Sequence, residues 1–184
     1  VGFVVTYGMS TGLSENSDGS VMANVQSEVL ASSGPGTILL LPDKISGGYA
    51  LYRDDVAGVV KTARSNGIDV EFAYTQERRK YLSEFSASEV VSAIFLGVAG
   101  NLTTDVTKSI YYLVNLRAMA ALRSFGGHGP VESEHVHLHM DRFEQDGEWR
   151  VIEGFDFKGP VGDVENVLRE LMSRGDKVDD SRSI

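Results

Sequence analysis

The chain has 184 residues, no cysteine and a formal charge of −9. That length suits one domain burying roughly 70% of its unfolded surface, and the lack of Cys removes disulfides and thiolate metal ligands and fits the cytosol. Seventeen Lys and Arg against 26 Asp and Glu set up a field that repels nucleic acid and anionic lipid, which argues against general binding to either.

The chain opens on Val-Gly-Phe-Val-Val in place of Met, as expected of a processed product or a piece of a longer protein. This start is too short, and lacks the basic residues, for a secretory signal, and it reads as a strand. Phe3 to Tyr7 is the β-rich run, and the Ser-, Thr- and Gly-rich stretch from Gly8 to Ser20 is a loop. From Val21, the spacing of Val21, Val25 and Val29 with Met22 and Leu30 gives one helical face, ended by Gly34-Pro35-Gly36.

Thr37 to Leu41 is a continuous apolar run stopped by Pro42, as for a strand buried on both faces. After a loop, DKISGGYALYR, a helix starts at Asp54 or Asp55, with Val56, Val59, Val60 and Ala63 on one face and Asn66-Gly67 at its end. Ile68 to Tyr74 reads as a strand near the sheet edge. Residues 2–75 are therefore expected to form β-α-β-α-β with parallel strands.

The middle is expected to be helical: Ser86 to Gly100, then about Thr103 to Phe125. Leu102, Val106, Ile110, Leu113 and Leu116 form a stripe that Tyr111, Val114, Ala118, Ala121, Leu122 and Phe125 widen, which implies packing on more than one side. Val90 to Thr104 holds no charged residue. It is shorter than a membrane span, so the segment is expected to be a core helix, or a helix pair that makes a homo-oligomer through residues 90–125. Asn101-Leu102-Thr103 has the form of a glycosylation sequon and is read as chance.

In the last third, strands 135–143 and 148–157 flank an Asp146-Gly147 turn, a strong hairpin signal. A helix follows, with Val161, Val164, Val167, Leu168 and Leu171 on one face and Gly175 at its end. The domain is taken as residues 1–175, with 176–184 a polar tail. The expected fold is thus α/β: a mixed sheet with a parallel N-terminal half, a long central helical segment, and a C-terminal antiparallel hairpin plus helix.

All four histidines fall between His128 and His139. His128 sits in a Gly- and Pro-rich loop. Strand alternation puts Val136, Leu138 and Met140 on the core side and His135, His137, His139 and Asp141 on the other. With Asp146 and Gly147 as the central turn residues, Asp156 is expected opposite His137 and Gly154 opposite His139. Imidazoles at i and i+2 with an aspartate suit Zn²⁺; the competing readings are a pH-sensitive contact and an ordinary polar sheet face.

A second candidate surface lies at the carboxyl ends of the N-terminal strands, where ligands of open α/β sheets sit. Three loops meet there: Gly8 to Ser20 with Ser10 and Thr11, Asp43 to Tyr49 with Asp43 and Lys44, and Thr75 to Lys80 with Arg78, Arg79 and Lys80. Hydroxyls, backbone N–H groups and cations together suit a phosphate, nucleotide or carboxylate. Neither phosphate-loop glycine pattern is present, and Ser10, Ser14 and Ser46 show no nucleophile elbow. The sequence therefore favours a non-catalytic binding or regulatory module for a small anionic ligand or a protein partner. The alternative is a metal-dependent, hydrolase-like enzyme on His135, His137, His139 and Asp156. The sequence names no organic cofactor.

Overall fold

The computed structural model describes residues 32–82, 93–124, 126, 128–146 and 148–179. The expected strand 3–7 and helix from Val21, with Ser10 and Thr11, lie outside the described residues. The remainder is mixed α/β. A five-stranded sheet contains β1 (Ile38–Leu40), β4 (Val70–Phe72), β6 (Ala93–Ala99), β7 (His135–Asp146) and β8 (Glu148–Pro160), in the order β4-β1-β6-β7-β8. A three-stranded sheet holds β2 (Lys44–Ser46), β3 (Tyr49–Arg53) and β5 (Arg79–Leu82), in the order β2-β3-β5. The helices are α1 (Val56–Ser65), α2 (Thr104–Ser124) and α3 (Val161–Asp179).

As the sequence suggests, β1 and β4 are parallel and joined through α1. Val56, Val59, Val60 and Ala63 are the buried face of α1, and Gly67 leaves the helix at φ +79°, a conformation glycine adopts without penalty. The rest of the large sheet is not uniformly parallel. β6 runs antiparallel to β1 and parallel to β7, and β8 closes the order antiparallel to β7.

Residues 93–99 are a strand where the sequence reading placed helix. A short apolar run does not distinguish a buried helix from a strand by periodicity, and Ala93-Ile-Phe-Leu-Gly-Val-Ala99 is paired on both sides, by β1 and β7. Both faces are covered, so every residue but Phe95 is buried. Gly97 is required by contact: a Cβ there would lie 2.8 Å from the Phe143 ring. The helix expected at these positions is thereby corrected, since the segment is the middle strand of the sheet.

The segment after β1 is also more regular than expected. Gly47 and Gly48 have φ of +56° and +75°, the two successive positive values of a type I′ turn, and they join β2 to β3 as a hairpin. Gln76–Arg78 is a short 3₁₀ turn that leads into β5. The small sheet stands at the carboxyl ends of β1 and β4. The buried Tyr52 donates its hydroxyl to the Leu40 carbonyl at 3.1 Å, and its ring meets Phe72 edge-on at 5.1 Å between centroids.

Right-handed crossovers place α1 and α2 on one face of the large sheet, and α1 packs on α2 and α2 on α3. The cross-strand row Phe72, Leu40, Leu96, Met140 and Phe155 faces this layer. Ile110, Leu113, Val114 and Ala118 of α2 and Val161, Val164 and Leu168 of α3 are fully enclosed, so the wide stripe of α2 serves both sheet and neighbouring helices. The last helix runs through Gly175 to Asp179 and so overruns the expected stop. No described helix is long and apolar enough to cross a membrane.

Candidate functional site

Alternation sorts the small sheet into two faces. Ile45, Ala50 and Tyr52 turn toward the large sheet, with Arg79 and Tyr81 beside them by register. Lys44, Ser46, Tyr49, Leu51, Arg53, Lys80 and Leu82 share the outer face. Lys44, Leu51 and Lys80 form one row across the three strands, which sets the two lysine Cα atoms about 10 Å apart. The Lys80 ammonium lies 3.6 Å from the Tyr49 ring centroid, a cation–π contact that orders the side chain. Lys44 and Lys80 are exposed, and no carboxylate among the described residues forms an ion pair with either. Among the described residues, the exposed large apolar side chains, Tyr49 and Tyr81, both belong to this sheet.

The expected ligand residues do not all converge there. Asp43 accepts from Arg53 Nε at 3.1 Å and from the Arg53 backbone N–H at 3.3 Å. Burial raises its pKa against the opposing pull of Arg53. Lys44 stands on the outer face. Arg79 crosses to the inner face, with its guanidinium carbon 4.2 Å from the Phe72 ring centroid, because successive strand residues point to opposite sides. Arg78 ends the 3₁₀ turn, half-buried near the Tyr74 phenol. The run Arg78-Arg79-Lys80 is therefore not one basic cluster. Sequence reasoning did not anticipate that Lys80 and Tyr49 meet on one sheet face. The available signal was Gly47-Gly48 between two short runs, which marks a hairpin and hence alternation.

The histidine strand keeps its expected faces but not its expected partners. Asp146 pairs with Glu148, and a second irregularity falls between Arg142 and Phe143. The two one-residue shifts add, so Asp156 stands opposite His139, and Lys158 opposite His137. A two-residue slip preserves the sides. Val136, Leu138 and Met140 are buried, while His137, His139, Asp141 and Asp156 gather on the opposite face around the half-buried Phe95. Asp156 is 2.9 Å from His137 Nε2 through one oxygen and 3.2 Å from His139 Nδ1 through the other. His139 Nε2 is 3.1 Å from Asp141 Oδ1.

A carboxylate oxygen at each ring nitrogen favours the imidazolium form, which can donate at both. The Asp141 hydrogen bond accordingly raises the His139 pKa above its ordinary value, against the opposing effect of burial. Burial works to raise the Asp156 pKa, but hydrogen bonds from His137 and His139 hold it below its ordinary value. His135 is exposed at the strand start, opposite Pro160. Among the described residues, no group of three or more His, Asp or Glu is placed to hold a metal ion.

Compared with family models, curated proteins and solved structures, the chain matches none. Its chemistry is therefore read from its own geometry. On the His–Asp face, His137 and His139 are already hydrogen-bonded to aspartate. The outer face of the small sheet differs: two ammonium groups lie in one row, one of them against the Tyr49 ring, and no carboxylate among the described residues pairs with either.

A third polar cluster is structural. Arg117 of α2 is 1% exposed, donates Nε to the Ala93 carbonyl at 3.1 Å, and pairs with Asp55. Asp55, one of the two residues expected to start α1, is its cap residue yet makes no side-chain cap bond. Its carboxylate instead ties the start of α1 to α2 and to the first residue of β6.

Proposed function

We propose that this chain is a non-catalytic binding module that takes a small anionic ligand on the outer face of the three-stranded sheet, with Lys44 and Lys80 as its charge contacts and Tyr49 as its stacking surface. The observation that supports this most is the row Lys44-Leu51-Lys80 with the Lys80 ammonium held over Tyr49, in an otherwise acidic chain. A ligand carrying two phosphates or carboxylates can bridge ammonium groups at that spacing, and a planar group can lie against the ring. The site adjoins the carboxyl ends of β1 and β4, where α/β sheets place their ligands.

The test is calorimetric titration of the full chain with inorganic pyrophosphate and with ATP at low and at raised salt. Saturable binding that weakens as salt rises is the expected result, because two lysines contribute chiefly through charge. Absence of binding by both probes at low salt would count against the site. The metal-dependent alternative makes its own distinct demand: stoichiometric Zn²⁺ that disappears in the His137→Ala/His139→Ala double variant. A metal bound through either nitrogen of His139 would have to displace that nitrogen's hydrogen bond to Asp141 or Asp156.

A further inference from the structure

β8 ends the order of the large sheet. β7 pairs with one of its edges, and among the described residues no strand pairs with the other. Such an edge presents a row of N–H and C=O groups to any strand of compatible register. Between Gly154 and Pro160 the side chains alternate. Gly154, Asp156 and Lys158 are exposed on the histidine side, while Phe155, Phe157 and Gly159 are buried toward the helices.

We infer that this edge pairs antiparallel with β8 of a second copy of the chain, about a twofold axis at Phe157. The register is self-complementary. With Phe157 opposite Phe157 of the partner subunit, Asp156 faces Lys158 of the partner subunit, and Lys158 faces Asp156 of the partner subunit. Two opposite-charge cross-strand pairs form by symmetry. Phe155 comes opposite Gly159 of the partner subunit; within each chain the Phe157 ring lies over Gly159, so Phe155 meets that ring. The pairing is bounded to residues 154–160, since α3 begins at Val161 and Pro160 offers no N–H. Seven residues match an ordinary strand length. The alternation also selects the register: moving the axis by one residue sets Asp156 against Asp156, or Lys158 against Lys158, of the partner subunit. The occupant is thus a copy of the chain itself, and the two large sheets become one continuous sheet.

The test is sedimentation velocity over a range of concentrations with wild type, Lys158→Glu, Asp156→Lys, and an equimolar mixture of the two variants. Wild type is expected to show a concentration-dependent dimer. In each variant alone two like-charge pairs face each other, and the dimer is expected to weaken about tenfold or more. In the mixture both pairs become attractive, and the dimer returns. Lys158 is exposed and makes no ion pair among the described residues, so Lys158→Glu keeps the fold. Should Asp156→Lys not fold, because it also loses two histidine contacts, hydrogen exchange on wild type replaces the mixture: those amides of residues 154–159 that point away from β7 gain protection as concentration rises. Wild type that stays monomeric throughout would overturn the inference and make the charges a guard against edge pairing. A dimer indifferent to Lys158→Glu would also overturn it, by placing the interface elsewhere.

Discussion

His139 stands between Asp141 and Asp156 with both ring nitrogens hydrogen-bonded, and this fixes the sign of its effect on stability. Its folded pKa is raised, so its contribution is fully present below the unfolded value of about 6.5 and is lost as pH rises through the folded value. Asp156 works oppositely. Its folded pKa is lowered, so its contribution is present above about 3.9 and fades as pH falls through the folded value. The cluster therefore stabilises most in the mildly acidic range. Thermal melts from pH 5 to pH 8 are expected to show a loss of Tm that is smaller in His139→Gln; an unchanged pH profile in that variant would refute the assignment. Arg117 has a different role. Burial lowers its pKa while Asp55 opposes the shift, and it remains charged because the ordinary guanidinium value is so high. Replacing it with Ala leaves Asp55 without its buried partner and opens space beside β6. A loss of about 3 kcal/mol in urea denaturation is expected, and a change under about 0.5 kcal/mol would show the pair to be dispensable.

At the scale of elements, the most informative strand is β6. Gly97→Ala places a Cβ 2.8 Å from Phe143 Cε2 and 3.4 Å from Leu39 Cβ. Its expected cost is about 1–3 kcal/mol of stability by denaturant titration, whereas a solvent-facing helix would gain from the same change. The contrast shows where the sequence was legible. α1, β4, the β7–β8 hairpin and α3 carried periodic patterns, β1 carried a short apolar run stopped by Pro42, and each exists. β6 carried no periodicity, because both of its faces are buried, and its length suited either element. β2, β3 and β5 are only three to five residues long, too short for alternation to stand out, although Gly47-Gly48 marked the turn. The hairpin register depended on how the turn closes and on one irregularity, neither written in the apolar pattern. Facing sides survived because the combined slip was even, but the partner of Asp156 did not.

For the whole molecule, the two candidate surfaces differ in how their charge is settled. On the histidine face, His137 and His139 already have Asp141 and Asp156 as hydrogen-bond partners, consistent with the role in stability assigned above. The outer face of the small sheet leaves Lys44 and Lys80 without a carboxylate among the described residues, in a chain whose net charge is −9. In the sequence both lysines were visible, but their alignment was not. It arises because β5 joins β3 in parallel after an intervening helix and strand, placing Lys80 in the same row as Lys44. Arg79, its immediate neighbour in sequence, is carried to the other face and packs on Phe72. The most direct measurement is therefore pyrophosphate affinity by calorimetry for wild type, Lys44→Glu/Lys80→Glu and Arg79→Met. The account predicts at least about a tenfold loss in the lysine pair and near wild-type affinity in Arg79→Met, with both variants folded. Undiminished affinity in the lysine pair, or its collapse in Arg79→Met alone, would contradict it.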